Sequence, residues 1–272
     1  MSDFLGHPAV QGGVAPFLAA LVCAAVLQYA RLGGLAILAG FATVALFLNG
    51  FTFSPLTATR KLILLGLAAP ALGVLADFVL RDERWIRIVL ALLCGAVAPW
   101  AFLAVLEQKG AAMGLAYGAG LLAFVAALVA LTTQLRADGV RAGAAGLALG
   151  LGSGVCAVLA ASAVYGLYGI ALGAAAGGFL LVQMVRGKPI AAGWTFTCPA
   201  ALIAGLLGSG SLLLAALPWY SLPAMLLIPI AARIPAPLSA AWLRAIAVSL
   251  YAFVAAAVPA ALAWYASRGP DG

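Results

Sequence analysis

Apolar runs of about twenty residues or more, with Lys and Arg at intervals between them, occupy almost the whole sequence. An α-helix of that length crosses the roughly 30 Å hydrocarbon core of a bilayer. The runs do not alternate with polar residues, as the strands of a membrane barrel would. With 66% hydrophobic and 8% charged residues, the chain fits no water-soluble class. The sequence therefore predicts an all-α, polytopic bundle of transmembrane helices.

Ten membrane-spanning helices are predicted in one integral membrane domain, residues 1–272. Arg31 lies between two apolar runs that are each just long enough to span, so it marks a tight turn. The predicted spans are residues 13–30, 32–50, 61–80, 86–106, 111–133, 142–162, 166–185, 195–217, 220–234 and 241–265.

Two stretches need an argument. The uncharged run 142–185 would be about 66 Å long as one helix, so we divide it near Val164–Gly169. Tyr165 and Tyr168 then fall where interfacial aromatic residues are expected. The segment 220–234 is short and proline-containing, which leaves two alternatives: a tenth span, or a re-entrant segment beside nine spans.

The basic residues test this arrangement. Ten spans divide the fourteen Lys and Arg residues 10 to 4 between the two sides. A single helix over 142–185 makes the division 7 to 7, and a re-entrant 220–234 makes it 9 to 5. The richer side is predicted to be cytoplasmic, so both termini are predicted to be periplasmic or outside. The richer side holds Arg31, Arg81, Arg84, Arg87, Arg136, Arg141, Arg186, Lys188, Arg233 and Arg244, and the other Arg60, Lys61, Lys109 and Arg268.

Ten helices also allow a five-plus-five inverted repeat with halves 1–135 and 136–272, an arrangement found in many secondary transporters. Proline placement gives this hypothesis its only support. The related pairs are Pro70 with Pro199 and Pro99 with Pro229.

Residues suited to catalysis are scarce. Asp77 lies near a helix end with Arg81 on the same face, which favours an ion pair over a coupling carboxylate. His7 is the single histidine, and the four cysteines fall in four helices without a CxxC spacing. We therefore expect no catalytic residue, no metal, no cofactor and no enzyme activity. The basic residues occur singly or in pairs, so we expect no nucleic-acid partner.

Uncharged polar residues are the remaining candidates for a solute pathway. Hydroxyl groups inside helices usually bond to their own backbone or to a neighbouring helix. The alternative is a weakly polar path for a neutral or amphipathic solute, with proline kinks as hinges. The candidate pathway and hinge residues are Asp77, Pro70, Pro199, Pro229, Ser153, Ser209, Ser211 and Tyr251.

Glycine spacing is the most specific signal. Three successive predicted helices carry GxxxGxxxG, whereas 32 glycines in 272 residues give about 0.4 such tracts by chance. A four-residue step returns to nearly the same helix face, so each tract predicts a smooth stripe for close helix packing. The predicted packing residues are Gly110, Gly114 and Gly118; Gly146, Gly150 and Gly154; and Gly169, Gly173 and Gly177.

Two functions fit these features. The sequence favours a small permease for a neutral or amphipathic solute, because the spans occupy nearly the whole chain. The alternative is a non-catalytic membrane subunit or assembly factor whose glycine stripes contact a membrane protein partner or a second copy. Short loops and richness in Ala, Leu and Gly suggest the bacterial inner membrane, with the lipid bilayer as the principal partner.

Overall fold

A computed structural model describes residues 7–30, 32–50, 53–78, 83–187, 190–238 and 240–268. Helices make up nearly all of this part of the chain, and it contains no strand. The α-helices are α1 (Ala15–Leu27), α2 (Ala36–Asn49), α3 (Ala58–Phe78), α4 (Glu83–Ala101), α5 (Leu103–Glu107), α6 (Ala111–Thr132), α7 (Gly139–Leu159), α8 (Ala163–Arg186), α9 (Gly193–Leu214), α10 (Ser221–Met225), α11 (Leu227–Ala231) and α12 (Ala241–Ser267).

Eight helical stretches of the described chain are long and apolar enough to cross a membrane. They contain α1, α3, α4, α6, α7, α8, α9 and α12, and two shorter apolar segments cover Gly33–Asn49 and Ser221–Ala231. The prediction of an all-α polytopic bundle is confirmed, and the chain is a multi-pass membrane protein. The exact number of crossings stays a prediction, as do the side of the termini and the inverted repeat.

Helices α7, α8 and α9 form the centre of the bundle. Helix α7 packs against α8, α9 and α12, while α9 also packs against α3 and α6. Helices α1 and α2 lie against α8, α4 lies against α6, and α10 and α11 lie against α12. In the most apolar stretch of α9, 89% is buried, compared with 28% for α6. The inner helices therefore contact protein on most faces, and α6 contacts it on few.

Contacts between helix ends identify the two ends of the bundle. At one end, the Thr59 and Tyr165 hydroxyls lie 3.2 Å apart, and the Lys61 ammonium lies 4.8 Å from the centre of the Trp100 ring. At the opposite end, Arg244 lies 3.7 Å from Asp138. We call these the arginine-poor end and the arginine-rich end. Among the described residues, the richer end holds Arg84, Arg87, Arg136, Arg141, Arg186, Arg233 and Arg244, and the poorer end Arg60, Lys61, Lys109 and Arg268.

The run 142–185 forms two helices, but the break comes earlier than predicted. Helix α7 ends at Leu159 and α8 begins at Ala163, with Ala161 in a left-handed conformation between them (φ 64°). Tyr165 and Tyr168 consequently lie inside α8 and are 4% and 1% exposed. Their predicted placement at a lipid interface is wrong, because Tyr165 bonds Thr59 and Tyr168 packs on Phe41.

Two other predicted spans are interrupted. The predicted helix 86–106 breaks at Phe102, between α4 and α5. The segment 220–234 forms two short helices, α10 and α11. Just before it, the Ala216 amide bonds the Ala160 carbonyl at the α7–α8 turn, and at its far end Arg233 bonds the carbonyl of Leu131. This segment therefore leads from the arginine-poor end to the arginine-rich end. Arg31, Arg81 and Lys188 lie outside the described residues.

Candidate functional site

The glycine stripes of α7 and α8 face each other. A Cβ atom added to Gly150 would overlap the backbone of Gly173, and one added to Gly169 would lie 2.5 Å from the Gly154 Cα. The absence of side chains allows the two backbones to touch, which provides dispersion contacts where lipid gives helices no hydrophobic reason to associate. Both stripes are largely occupied by helices of the same chain.

The outer members of these two stripes contact further helices. A Cβ at Gly146 would lie 3.1 Å from both the Ala176 Cβ on α8 and the Phe196 ring on α9. A Cβ at Gly177 would have ordinary contacts with Leu147 and, on α1, with Phe17. The stripes therefore hold α7 and α8 together and also admit α1 and α9.

The third glycine stripe has different surroundings. Gly110 precedes α6 and has φ 81°, a conformation that favours glycine at the turn. A Cβ at Gly114 would lie 2.5 Å from the Leu106 carbonyl oxygen on α5. At Gly118 the nearest atoms would be 3.7 and 3.8 Å away, and at Gly120 none lies within 4 Å. Within this stripe only Gly114 is in tight contact, and all three of its glycines line a groove.

Two apolar grooves lie beside the first half of α6, one on each side, and the stripe lines the one next to α5. The α5–α6 groove has a volume of about 670 Å³ and is lined by Pro99, Leu103, Glu107, Gly114, Gly118 and Leu122, among others. The α6–α10 groove has a volume of about 510 Å³ and is lined by Tyr117, Gly120, Phe124, Leu212, Trp219 and Leu222, among others. Each groove thus has an apolar wall and one or two polar or interfacial side chains.

The serines predicted to line a pathway are hydrogen-bonded within their own helices. The hydroxyls of Ser153, Ser209 and Ser211 donate to the carbonyls of Gly150, Gly205 and Leu207, respectively. All three serines are buried, whereas Tyr251 on α12 is 36% exposed. None of the four lines either groove beside α6. The structure does not bring these side chains together around a common space.

The predicted hinge prolines are buried inside helices. Pro70 lies in α3, Pro199 in α9 and Pro229 in the short helix α11. Helices α3 and α9 continue through their prolines, so any bend there is local.

Asp77 fastens α3 to the start of α9. Its carboxylate accepts hydrogen bonds from the amides of Trp194 and Thr195, each 2.9 Å long, and from the Thr195 hydroxyl. These amides belong to the first turn of α9, where backbone donors lack partners within the helix. The expected partner Arg81 is outside the described residues. The sequence did not indicate the contact between Asp77 and the start of α9, because 117 positions separate Asp77 from Trp194.

The turn before α9 is held from a second direction. Gly193 has φ 70° and donates its amide to the Arg136 carbonyl, while the Arg136 guanidinium lies 4.7 Å from the centre of the Trp194 ring. A side chain at Gly193 would also meet the Asp77 carboxylate. This position consequently accepts only glycine without strain.

Two further groupings were missed by the sequence analysis. The Sγ atoms of Cys94 and Cys198, on α4 and α9, lie 3.7 Å apart, a contact that their spacing in the sequence did not indicate. At the arginine-rich end, Arg141 on α7 and Arg244 on α12 lie 3.6 and 3.7 Å from the Asp138 carboxylate, and Arg233, after α11, lines a pocket with Asp138. Burial, followed by the neighbouring Arg87, lowers the pKa of Arg233. The predicted positive-inside loops were the signal for this cluster, but sequence spacing does not show which arginines meet.

Comparison with models of known protein families and with curated proteins finds no match for this chain.

Proposed function

We propose that this protein is a small permease of a bacterial inner membrane that moves an amphipathic solute along the outside of α6. The observation that carries the proposal is the pair of apolar grooves beside α6. In this arrangement the arginine-rich end faces the cytoplasm and both termini face the outside, as the distribution of basic residues favours.

The polar side chains of the grooves favour an amphipathic solute over a small hydrophilic one. Glu107 lines one groove, and Tyr117 and Trp219 line the other, whereas the remaining walls are apolar. Such a wall holds an acyl or aromatic body, and the polar residues lie where a headgroup would be. The buried serines offer little to a hydrophilic solute, because their hydroxyls already donate to backbone carbonyls.

The small residues of α6 support solute movement. Gly118 and Gly120 leave a smooth wall on opposite sides of the helix, so a solute meets few protruding side chains there. Since lipid tails are as apolar as the groove wall, hydrophobicity alone would not select a solute. Shape and the polar residues at the groove would supply the selection.

A second candidate function is that of a non-catalytic membrane subunit. The α5–α6 groove lies beside Gly114 and Gly118, and small residues also admit the backbone of a partner helix. A partner helix would then occupy the same groove that the permease proposal assigns to solute.

A transport experiment tests the permease proposal directly. Proteoliposomes would receive a fluorescent NBD-labelled lysophosphatidylcholine, and its inward movement would be followed as protection from dithionite. We expect the wild-type protein to accelerate movement, and Gly118→Leu or Gly120→Leu to abolish the acceleration by filling one groove each. Gly13→Leu is the matched control, because a Cβ there meets nothing within 4 Å and Gly13 lines neither groove.

Three results bear on the choice between the two functions. Loss of movement in one groove variant, with Gly13→Leu active, would assign the solute to that groove. Equal activity in all variants would contradict a role for the grooves. An inactive but folded wild-type protein that purifies in mild detergent with a second membrane protein, and loses it in Gly118→Leu, would favour the subunit function.

A further inference from the structure

A small pocket at the arginine-rich end lies far from the grooves beside α6. It has a volume of about 310 Å³ and is lined by Gln134, Leu135, Ala137, Asp138, Arg141 and Arg233. The turn between α6 and α7 supplies the first four residues. The pocket is therefore assembled from two separate parts of the chain, residues 134–141 and Arg233.

Four arginines at this end each have one buried N–H donor without a hydrogen-bond partner among the described residues. The Nε atoms of Arg87, Arg141, Arg233 and Arg244 are all buried and have no hydrogen-bond partner within the described chain. Buried polar atoms nearly always have a partner, and an unsatisfied one calls for a specific explanation such as a bound ion. An anion bound in the pocket would lie beside two of these donors, those of Arg141 and Arg233.

Asp138 does not satisfy these arginines. Its Oδ1 accepts from the amides of Val140 and Arg141, which caps the start of α7. Arg141 Nε lies 3.6 Å from the Asp138 Oδ2 atom, and Arg244 Nη2 lies 3.7 Å from Oδ1. Both distances exceed those of a good charge-assisted hydrogen bond. Arg141 and Arg244 thus lie near a carboxylate that already accepts from the backbone, and Arg233 lines the same pocket.

Arg233 is fixed in position by a backbone contact. One of its terminal nitrogens donates to the Leu131 carbonyl at the end of α6, at 2.9 Å. This bond holds the guanidinium against the pocket wall and leaves its buried Nε without a partner. Burial, followed by the neighbouring Arg87, lowers the pKa of Arg233, an effect that a bound anion would oppose.

We propose that this pocket binds the anionic phosphate group of a phospholipid headgroup or of a phosphate-bearing solute. Arginine matches phosphate geometry with paired N–H donors, and several arginines together suit a group that offers more acceptor oxygens than a carboxylate does. Basic pockets between transmembrane helices on the cytoplasmic side are also suited to lipid headgroups. We call it the phosphate pocket.

Calorimetric titrations of delipidated, full-length protein in dodecyl maltoside test the proposal. The probes are inorganic phosphate and dihexanoyl phosphatidylglycerol, with zwitterionic dihexanoyl phosphatidylcholine for comparison and sodium chloride keeping the ionic strength constant. Binding of phosphatidylglycerol alone would identify a lipid headgroup as the source. Binding of phosphate alone would identify a solute, and competition between the two would show that either group fits. Binding of neither would overturn the proposal.

Substitutions locate the binding site. Arg141→Gln and Arg233→Gln should each weaken binding about tenfold, because each removes charged hydrogen bonds to the anion. Arg186→Gln, at the same end but stacked on Tyr29, should leave it unchanged. Unchanged affinity in both pocket variants would place the anion elsewhere and overturn the proposal.

Asp138→Asn separates anion binding from a structural role. Asparagine still caps the start of α7 but removes the one carboxylate among the described residues that line the pocket, so phosphate or phosphatidylglycerol should bind several-fold more tightly. A merely structural cluster predicts no such gain. If this variant is folded and its affinity is unchanged or lower, the electrostatic basis of the proposal is wrong.

Discussion

Helix α6 and the α7–α8 pair carry the same glycine spacing but have opposite surroundings. In the most apolar stretches of α7 and α8, 72% and 67% of residues are buried, compared with 28% in α6. Gly150 meets the backbone of Gly173, whereas Gly118 faces a groove of about 670 Å³. The motif provides a smooth face, and the helix opposite decides whether that face becomes an interface or a wall. A glycine stripe therefore does not by itself distinguish a folding element from a solute-binding surface.

The largest effect is expected from Gly150→Leu. The new side chain must enter the space held by the Gly173 backbone, and backbone cannot move aside as a flexible side chain does. We expect a loss of about 3 kcal/mol or more, enough to prevent folding of a marginally stable protein. Size-exclusion chromatography in mild detergent measures the folded fraction. Gly120→Leu makes the same change where no atom lies within 4 Å of the added Cβ, so this control variant should remain monodisperse. A folded Gly150→Leu variant would show that folding does not require the contact between the two stripes.

The central helices are held by contacts at their ends as well as by their glycine stripes, and Asp77 at the start of α9 tests the end contacts. Asp77→Ala removes the acceptor for two amides and one hydroxyl at the start of α9. We expect a loss of about 2 kcal/mol, because hydrogen bonds to a charged group are lost and α9's first turn is left uncapped. The apparent Tm in detergent should fall, and Asp77→Asn, which keeps one carbonyl oxygen, should fall less. Equal Tm values for wild type and Asp77→Ala would show that packing alone holds α9.

Gly114→Ala tests the one tight position of the α6 stripe. Its Cβ would lie 2.5 Å from the Leu106 carbonyl oxygen on the short helix α5. Helix α5 has only five residues and lies at the edge of the bundle, so it can shift more easily than α8 can. We expect a loss of about 1 kcal/mol, seen as a small decrease in apparent Tm. A loss as large as that of Gly150→Leu would mean that α5 is as firmly held as the central helices.

The sequence was sufficient for the class of fold because each apolar run is a local property. Helices α7, α8 and α9 follow from uncharged runs and the length of a helix that one bilayer can hold. The burial of Tyr165 and Tyr168 was not predictable in this way, because it depends on contacts with Thr59 and Phe41, which belong to other helices.

The candidate sites depended still more on distant contacts. Glycine spacing indicated stripes on three helices, but nothing local to α6 reveals that its stripe lines a groove. The phosphate pocket combines Arg141 with Arg233, which are 92 positions apart in the sequence. Asp77 was expected to pair with Arg81, which lies outside the described residues, and its bond to the start of α9 was not foreseen. Positive-inside bias predicted the end of the bundle where arginines collect, but not their grouping around Asp138.

The smallest effect is expected from Gly118→Ala, which gives the sharpest contrast with the same substitution at Gly150. At Gly118 the added methyl group would have ordinary contacts of 3.7 and 3.8 Å with Leu106 and Pro99, whereas at Gly150 it would overlap the backbone of α8. Alanine also favours a helix interior over glycine, so we expect Gly118→Ala to change stability by less than about 0.5 kcal/mol or to raise it slightly. Paired measurements of apparent Tm in one detergent check this, with Gly13→Ala as a second open position. If Gly118→Ala and Gly150→Ala destabilise the protein equally, both stripes are helix interfaces, and a helix outside this chain must cover α6. If only Gly150→Ala destabilises it, the stripe of α6 remains uncovered and free to contact a solute.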